Sequence, residues 1–516
     1  MNAMANGIPW LTMITVLPVV GAAVALFSGK HARGVAQVTG ALAFALSLAI
    51  WFHLPGDGSI GLEELHMNWV PSLGIQYHLG VDGLGALMLV LSALVTLMSV
   101  DAAHRVHHEP GLFFALVMLL EAGLFGSFTA LNFFHWFLFW ELSLIPAFFL
   151  IKLWGGPKRG PAATQFFVYT MAGSVALLLS FLAVFYSTGS MEFGQLAAMA
   201  ADGTLAQQVI GHLGSVAGGH VMMWLAVGVL AGFAVKVPMA PFHTWLPAAY
   251  AEAPSPVTML LTGAMSKMGV YGLLRIALPL FGAQIAEIRT PLLVLAVITV
   301  VMGAWAAAAQ KDLKRVLAYS SVNHLGYCLL GIFAIAVPGG ANVSVGASQA
   351  AALNGVILQM FNHGLTAAAL FWFIAMIQFR SAGLRGIEDF GGLRKPAPVF
   401  AGLMGIALFS SLGLPGLNGF VGEFLIFRGV FPLSWVAATF SVLGLLVTAA
   451  VILTVIQKVF TGPLPERWAG FPDLHAGERL GMAPVIGLMF LLGVVPQLIV
   501  GHVNPTVQYL LAHWRF

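Results

Sequence analysis

Long apolar runs, punctuated by glycine, proline or charge, recur along the whole chain. Each is close to the roughly 20 residues that carry an α-helix across the hydrocarbon core of a bilayer. The pattern predicts about 14 membrane-spanning helices, near 8–27, 36–54, 78–101, 111–130, 133–153, 163–187, 221–251, 256–280, 291–309, 315–336, 347–378, 397–430, 433–460 and 481–500. Two of these runs are long and interrupted. Pro238 and Pro241 break 221–251, and Pro415 and Gly419 break 397–430. A span tolerates such a break only where protein or a wet cavity satisfies the freed backbone groups. Matching breaks in two halves of a chain point to an inverted repeat with a transport path between them. The expected fold is an all-α polytopic membrane protein with two inverted five-helix repeats, each containing a broken helix. Helices 1–3 fall in 1–110, the repeats in 111–280 and 281–460, and a loop with helix 14 in 461–516.

Composition sharpens this. Of 516 residues, 59% are hydrophobic and 8% charged, against about 25% charged in soluble proteins. A water-soluble enzyme and a disordered chain are both excluded. The net charge of +3 does not signal nucleic acid, because the basic residues lie in short loops rather than on one face. Counted on alternate sides of the spans, 16 Lys and Arg fall on one side and 4 on the other. The positive-inside rule then puts both termini outside the cytoplasm, in the periplasm if the membrane is a bacterial inner membrane. Loops 55–77 and 188–220 carry acids but no Lys or Arg, as an outer face should. No basic stretch precedes the first apolar run, which reads as a retained span and not a cleaved signal. The single cysteine, Cys328, allows no internal disulfide and no cysteine-ligated cluster.

Against that background a few residues stand out, since a charge at a helix centre costs about 2.5–3.5 kcal/mol on the most lenient scale. They are Glu141 in FFHWFLFWELSLIPAFFLI, Lys236 just before a proline break, Lys267 in VTMLLTGAMSKMGVYGLL and Glu423 after the second break. Glu121 and Asp82 are further acids in or near spans, and His324 and His363 lie within apolar helices. Burial disfavours the charged form of an amine or carboxyl, and a nearby opposite charge restores it. A Lys and a Glu sharing a dry site can therefore trade protonation states when a neighbour moves, and histidine titrates near neutrality. The competing readings are a structural ion pair for the lysines and Glu141, a helix-break cap for Glu423, and neutral packing for the histidines. The cluster His104, His107, His108 and Glu109 has metal-binding residue types, but it reads as a solvated basic loop. No phosphate-cradling loop or dinucleotide glycine fingerprint is present in the sequence.

FHWFLFWELSLIPAFFLI, FAVKVPMAPFHTWLPAAYAEAPSPVTMLLTGAMSKMGVYGLLRI, DLKRVLAYSSVNHLGYCLLGIF and SSLGLPGLNGFVGEFLIFRG, in this order, resemble the antiporter-like proton-channel subunits of bacterial respiratory complex I. The resemblance is greatest to the subunit M type, and Mrp antiporters share it in weaker form. It implies a proton relay of Glu141, Lys236, Lys267, His324, His363 and Glu423. The inverted repeat expected from the two breaks would put Lys236 and Glu423 near the same membrane depth, with Lys236 in the middle of a first half-channel and Glu423 at release on the outer side. The resemblance also implies no redox cofactor in this chain: NADH, FMN, iron–sulfur clusters and quinone would belong to partner subunits. The expected neighbours are L-like and N-like membrane subunits. APSPVT at 253–258 is closer to the subunit L or plastid type, and Gln165 stands where a lysine is common. These departures leave open an Mrp-like cation/proton antiporter, an inorganic-carbon-uptake subunit or a hydrogenase-linked relative.

Overall fold

The structure, a computed structural model, describes residues 8–71, 75–337 and 343–516; what the sequence suggests for residues 1–7 lies outside the described residues. In chain order the elements are α1 (Trp10–Phe27), α2 (Gly29–His53), β1 (Leu62–Val70), β2 (Ile75–Val81), α3 (Gly83–Ala102), α4 (Pro110–Thr129), α5 (Phe133–Trp154) and α6 (Arg159–Thr188). Next come α7 (Phe193–Asp202), α8 (Thr204–Ala217), α9 (Val221–Lys236), α10 (Trp245–Glu252), α11 (Ser255–Glu287) and α12 (Arg289–Ala308). The last are α13 (Leu313–Ile335), α14 (Val343–Arg380), α15 (Pro398–Leu412), α16 (Asn418–Leu433), α17 (Trp435–Thr461), α18 (Ala476–Val494) and α19 (Gln497–His513).

Twelve helices among the described residues are long and apolar enough to cross a membrane. The two shorter apolar helices, α9 and α15, stand where the sequence predicts broken spans, and α10 and α16 resume after each break. Helix α13 is buried along nearly its whole length, as is the described part of α14, so these two form the axis of the molecule. Peripheral helices leave large apolar side chains bare, among them Phe27, Leu446 and Val494. In water such a surface would aggregate; against lipid it is the correct one. Apolar burial does not drive helices together inside a bilayer, so close backbone packing must. A Cβ at Gly303 would lie 2.8 Å from Asn323 N, and one at Gly429 2.3 Å from Ala352 N. Glycine therefore lets α12 meet α13, and α16 meet α14, at backbone distance.

Three features differ from the sequence reading. The span expected at 78–101 begins only at Gly83, because Ile75–Val81 pairs antiparallel with Leu62–Val70 as a β-hairpin. The alternation in IQYHLGV carried that signal, but the register slips in β1 between Leu65 and Met67 and between Asn68 and Val70 blur its partner. Loop 188–220 contains α7 and α8, and the last span ends at Val494 with a further helix, α19, after it. That helix folds back onto the core: Gly83 N donates to Thr506 Oγ1 at 3.1 Å, and Asn354 Nδ2 to Asn504 Oδ1 at 2.9 Å.

The two ends of the bundle are chemically distinct. At one, the hairpin is fastened by His78, whose ring nitrogens lie 2.6 Å from Glu192 Oε2 and 2.6 Å from Glu63 Oε1. Burial by itself would lower the His78 pKa, but hydrogen bonds to the two carboxylates outweigh it and raise the imidazole above its ordinary value. At the same end Asp82 caps α3 through Gly85 N at 3.0 Å and forms a buried ion pair with Arg275. Asp82→Asn would leave that guanidinium without its counter-charge, a loss of about 3–5 kcal/mol for a buried pair. The expected result is less assembled protein with an earlier thermal melt; unchanged assembly would show that the pair does not stabilise the fold.

The opposite, basic end gathers residues from four segments. Glu252, at the end of α10, accepts from Lys158 N at 2.9 Å and Arg385 Nη2 at 3.3 Å, and Arg385 Nε lies 2.6 Å from Asp312 Oδ2. Lys314, one of the 16 basic residues that the sequence counts in the loops on one side of the spans, is buried, and its ammonium donates to the carbonyl of Ala253. The reason is local. The last carbonyls of a helix have no partner within it and attract a cation.

Candidate functional site: a buried file of titratable side chains

Each break in a spanning helix is held by specific partners. After Lys236 the chain leaves helical geometry, and the indole of Trp245 donates to the carbonyl of Val235 at 2.9 Å. Ala240 N donates to Thr299 Oγ1 at 3.0 Å. In the second break Gly413 and Gly416 adopt φ of +83° and +93°, a region closed to most side chains. Asn418 then ties the break down: its carbonyl accepts from Asn362 Nδ2 at 2.7 Å, and Ser410 Oγ lies 2.6 Å from its Oδ1.

These breaks place charge in the interior. Lys236 ends α9, where the partial negative charge of a helix C-terminus favours a cation, and is almost fully buried. Its ammonium stands 4.7 Å from the centre of the Trp140 ring, a cation–π contact. Glu141 follows Trp140 on α5 and lies within Coulombic reach of Lys236. Its Oε1 is buried with no hydrogen-bond partner among the described residues, and the carboxylate influences Lys236 through space.

Helix α11 carries Lys267 past this pair. A Cβ at Gly269 would lie 3.2 Å from Lys236 Cβ, so the helix bearing the second lysine abuts the first lysine directly. Two π-helical stretches, Leu261–Met265 and Leu273–Ala277, bracket Lys267. Such wide turns leave carbonyls free and often mark functional sites. Lys267 Nζ uses one of them, donating to the carbonyl of Thr262, and lies 2.7 Å from His363 Nδ1.

From His363 the file continues. The rings of His363 and His324 are 5.3 Å apart between centres. His324 Nδ1 lies 2.8 Å from Glu423 Oε1, and Gln359 Nε2 donates to the same oxygen at 3.2 Å. Four of the six residues singled out in the sequence, Lys267, His363, His324 and Glu423, thus form one nearly continuous buried chain. The other two, Glu141 and Lys236, make a second group beside it. Asp82 stands apart in its pair with Arg275, and Glu121 is fully buried facing Thr96. His104, His107, His108 and Glu109 form no metal-binding group, and none was found among the described residues.

Sequence reasoning missed the neutral polar side chains around this file: Gln359, Asn362, Thr366, Ser410, Ser411 and Asn418. Their spacing gives the signal. Gln359, Asn362, His363 and Thr366 fall at helical i, i+3, i+4 and i+7 positions along α14, a polar stripe within the apolar stretch from Gly355 to Ile377.

The sequence comparisons agree with this architecture. Residues 130–452 match the family described as NADH:quinone oxidoreductase/Mrp antiporter, TM. The chain is 33% identical to an NADH-quinone oxidoreductase subunit M of Rhodobacter capsulatus over 516 aligned residues, covering 98% of this chain and 97% of that one. It is 36% identical to an NAD(P)H-quinone oxidoreductase chain 4 of Picosynechococcus, covering 89% and 80%. Among solved structures, a chain of respiratory complex I from Thermus thermophilus superposes with a TM-score of 0.84 at 28% identity, covering 98% of this chain and 99% of that one. A chain of the Mrp complex from Dietzia shares the fold, with a TM-score of 0.80 at 21% identity over 98% of this chain and all of its own. This chain belongs to the NADH:quinone oxidoreductase/Mrp antiporter transmembrane family.

Proposed function

We propose that this chain is a proton-translocating membrane subunit of a bacterial NADH:quinone oxidoreductase. The observation that carries the reading is the file of buried amine, imidazole and carboxyl groups from Lys267 to Glu423, with the Lys236 and Glu141 pair beside it. Dry, titratable groups in hydrogen-bonding sequence are the means by which a membrane protein passes protons without opening a pore. In this reading Glu141 holds a proton on Lys236 electrostatically, and loss of that influence lets the ammonium pass its proton on. Lys267 receives it and hands it through His363 and His324 to Glu423. The redox chemistry of NADH, FMN, iron–sulfur clusters and quinone belongs to partner subunits.

The two shorter apolar helices complete 14 crossings in this proposal, with 111–280 and 281–460 as inverted repeats. The basic end faces the cytoplasm and both termini lie on the periplasmic side of the inner membrane. L-like and N-like subunits flank the chain.

The test is Glu141→Gln in the intact complex. It removes the negative charge while keeping size, and the expected loss of coupled quinone reductase activity and pumping is about tenfold or more, equal to about 1.4 kcal/mol or more in barrier. Glu141→Asp should keep part of both. Wild-type pumping by an assembled Glu141→Gln complex would overturn the role. Purification of the chain with cation-antiporter subunits, and without redox subunits, would assign it to an antiporter instead.

A further inference from the structure

Helices α1 and α2 form a hairpin at the edge of the bundle, and they touch at one level and part beside it. A Cβ at Gly21 would lie 2.6 Å from the Thr39 side chain, and both residues are buried. Over this contact runs a groove of about 790 Å³, open along its outer side and reaching the basic end. Leu17, Val20 and Val24 of α1 and Val35 and Val38 of α2 form its walls. Val20, Val24 and Val38 are each at least half exposed. Gly34 also lines the groove, and nothing stands within 4 Å of where its Cβ would be. Leu17 lies ten residues before the end of α1, about 15 Å at the helical rise. That is half of the roughly 30 Å hydrocarbon core of a bilayer, so the groove is one leaflet deep and runs parallel to its acyl chains.

Its mouth is cationic. Lys30, His31 and Arg33 line it at the turn between the two helices, and no acidic residue does. Lys30 and His31 are exposed. Arg33 is braced against the end of α3, donating to the carbonyls of Val100 at 3.3 Å and Asp101 at 3.2 Å. Among the described residues the one acid paired with this trio is Asp101, 3.5 Å from Arg33 Nη2 and shared with Gln37. A second groove at the same end, between α12 and α17, is different. There Lys311 and Lys458 share the wall with Glu388, which lies 3.5 Å from Lys458 and already neutralises it.

We propose that the groove between α1 and α2 holds an anionic phospholipid of the leaflet at the basic end. Its phosphate lies against Lys30, His31 and Arg33, and one acyl chain lies along Val20, Val24 and Val38. Basic pockets between spanning helices recognise anionic headgroups in this way. A zwitterionic headgroup would bring a cation of its own into the cluster, so charge selects the anionic lipid. Depth selects a lipid over a protein partner: a helix of a neighbouring subunit would cross both leaflets, whereas the groove ends at Leu17 and Thr39.

The test uses the intact complex in nanodiscs of equal parts phosphatidylglycerol and phosphatidylcholine, with a photoreactive diazirine on the acyl chain of one lipid or the other. After illumination, labelled peptides between Leu17 and Thr39 are quantified by mass spectrometry. Phosphatidylglycerol is expected to label them at least about fivefold more than phosphatidylcholine. Lys30→Gln should reduce that ratio about fivefold, equal to about 1 kcal/mol, the worth of one cation beside an anionic headgroup. Gly34→Leu puts a better helix former into open space and fills the groove, so labelling by both lipids should fall several-fold while the complex still assembles. Lys458→Gln, in the other groove, should leave the ratio between Leu17 and Thr39 at its wild-type value. Equal labelling by the two lipids, or a ratio unmoved by Lys30→Gln, would overturn the site and leave ordinary contact with bulk lipid. Labelling by neither would overturn it in favour of a protein segment covering the groove, and full labelling in Gly34→Leu would place the chain elsewhere. The labelling needs no turnover, so it stands or falls separately from the Glu141→Gln result.

Discussion

Lys267→Ala is expected to abolish proton pumping while the complex still assembles. The amine is the group through which the file leaves α11, bonded to the Thr262 carbonyl and 2.7 Å from His363 Nδ1. Methyl in its place leaves a gap between the Lys236 side and the histidines. A positioned proton-transfer group is worth about 10²–10⁴ in rate, so a loss of about a hundredfold is expected in the proton gradient formed on NADH addition. Lys267→Arg separates charge from exchange. Guanidinium keeps its proton at any working pH, so it can hold the charge but cannot pass a proton to His363. The arginine variant should therefore be nearly as defective as alanine. Full activity with arginine would mean that a fixed positive charge suffices at this position.

Glu423→Gln tests the other end of the file and is expected to block turnover with comparable severity. Glutamine keeps the size of the side chain and can still meet His324 and Gln359, which lie 2.8 and 3.2 Å from Glu423 Oε1. It cannot hold the transferred proton. Because the hydrogen-bonding shell survives, assembly and thermal melt should stay close to wild type, while coupled quinone reductase falls at least about tenfold. Glu423→Lys, which restores a titratable group of the opposite charge type, should retain more pumping than Glu423→Gln. If the glutamine and lysine variants pump alike, the site needs no titratable group and Glu423 caps the helix break.

These two substitutions differ in kind from Asp82→Asn. Asp82 neutralises a neighbour at the end of the bundle, so its loss is read in assembly and melting. Lys267 and Glu423 sit where the structure supplies successive partners for a moving proton, so their loss is read in pumping with assembly intact. Measuring both quantities on all three variants tells relay from scaffold.

The sequence by itself determined the class of fold and the residues that cost most to bury. Twenty-residue apolar runs have one outcome in a bilayer, because every backbone group must find a partner within its own segment. The same medium makes each intramembrane charge expensive, so Glu141, Lys236, Lys267 and Glu423 were legible without a neighbour in view. The broken spans were legible for the same reason, through Pro238, Pro241, Pro415 and Gly419. Tertiary structure decided everything that depends on what faces a residue. It separated Asp82, paired with Arg275, from the file, although both its charge and its place near a span had marked it out. It buried Lys314, whose loop-like sequence position hid the carbonyls of α10 that it would meet. It hid the β-hairpin under register slips in β1, and it gathered serines and threonines around the file. Neutral hydroxyls cost little to bury and so leave almost no mark on an apolar sequence; only the packing of α13 to α16 brings them together.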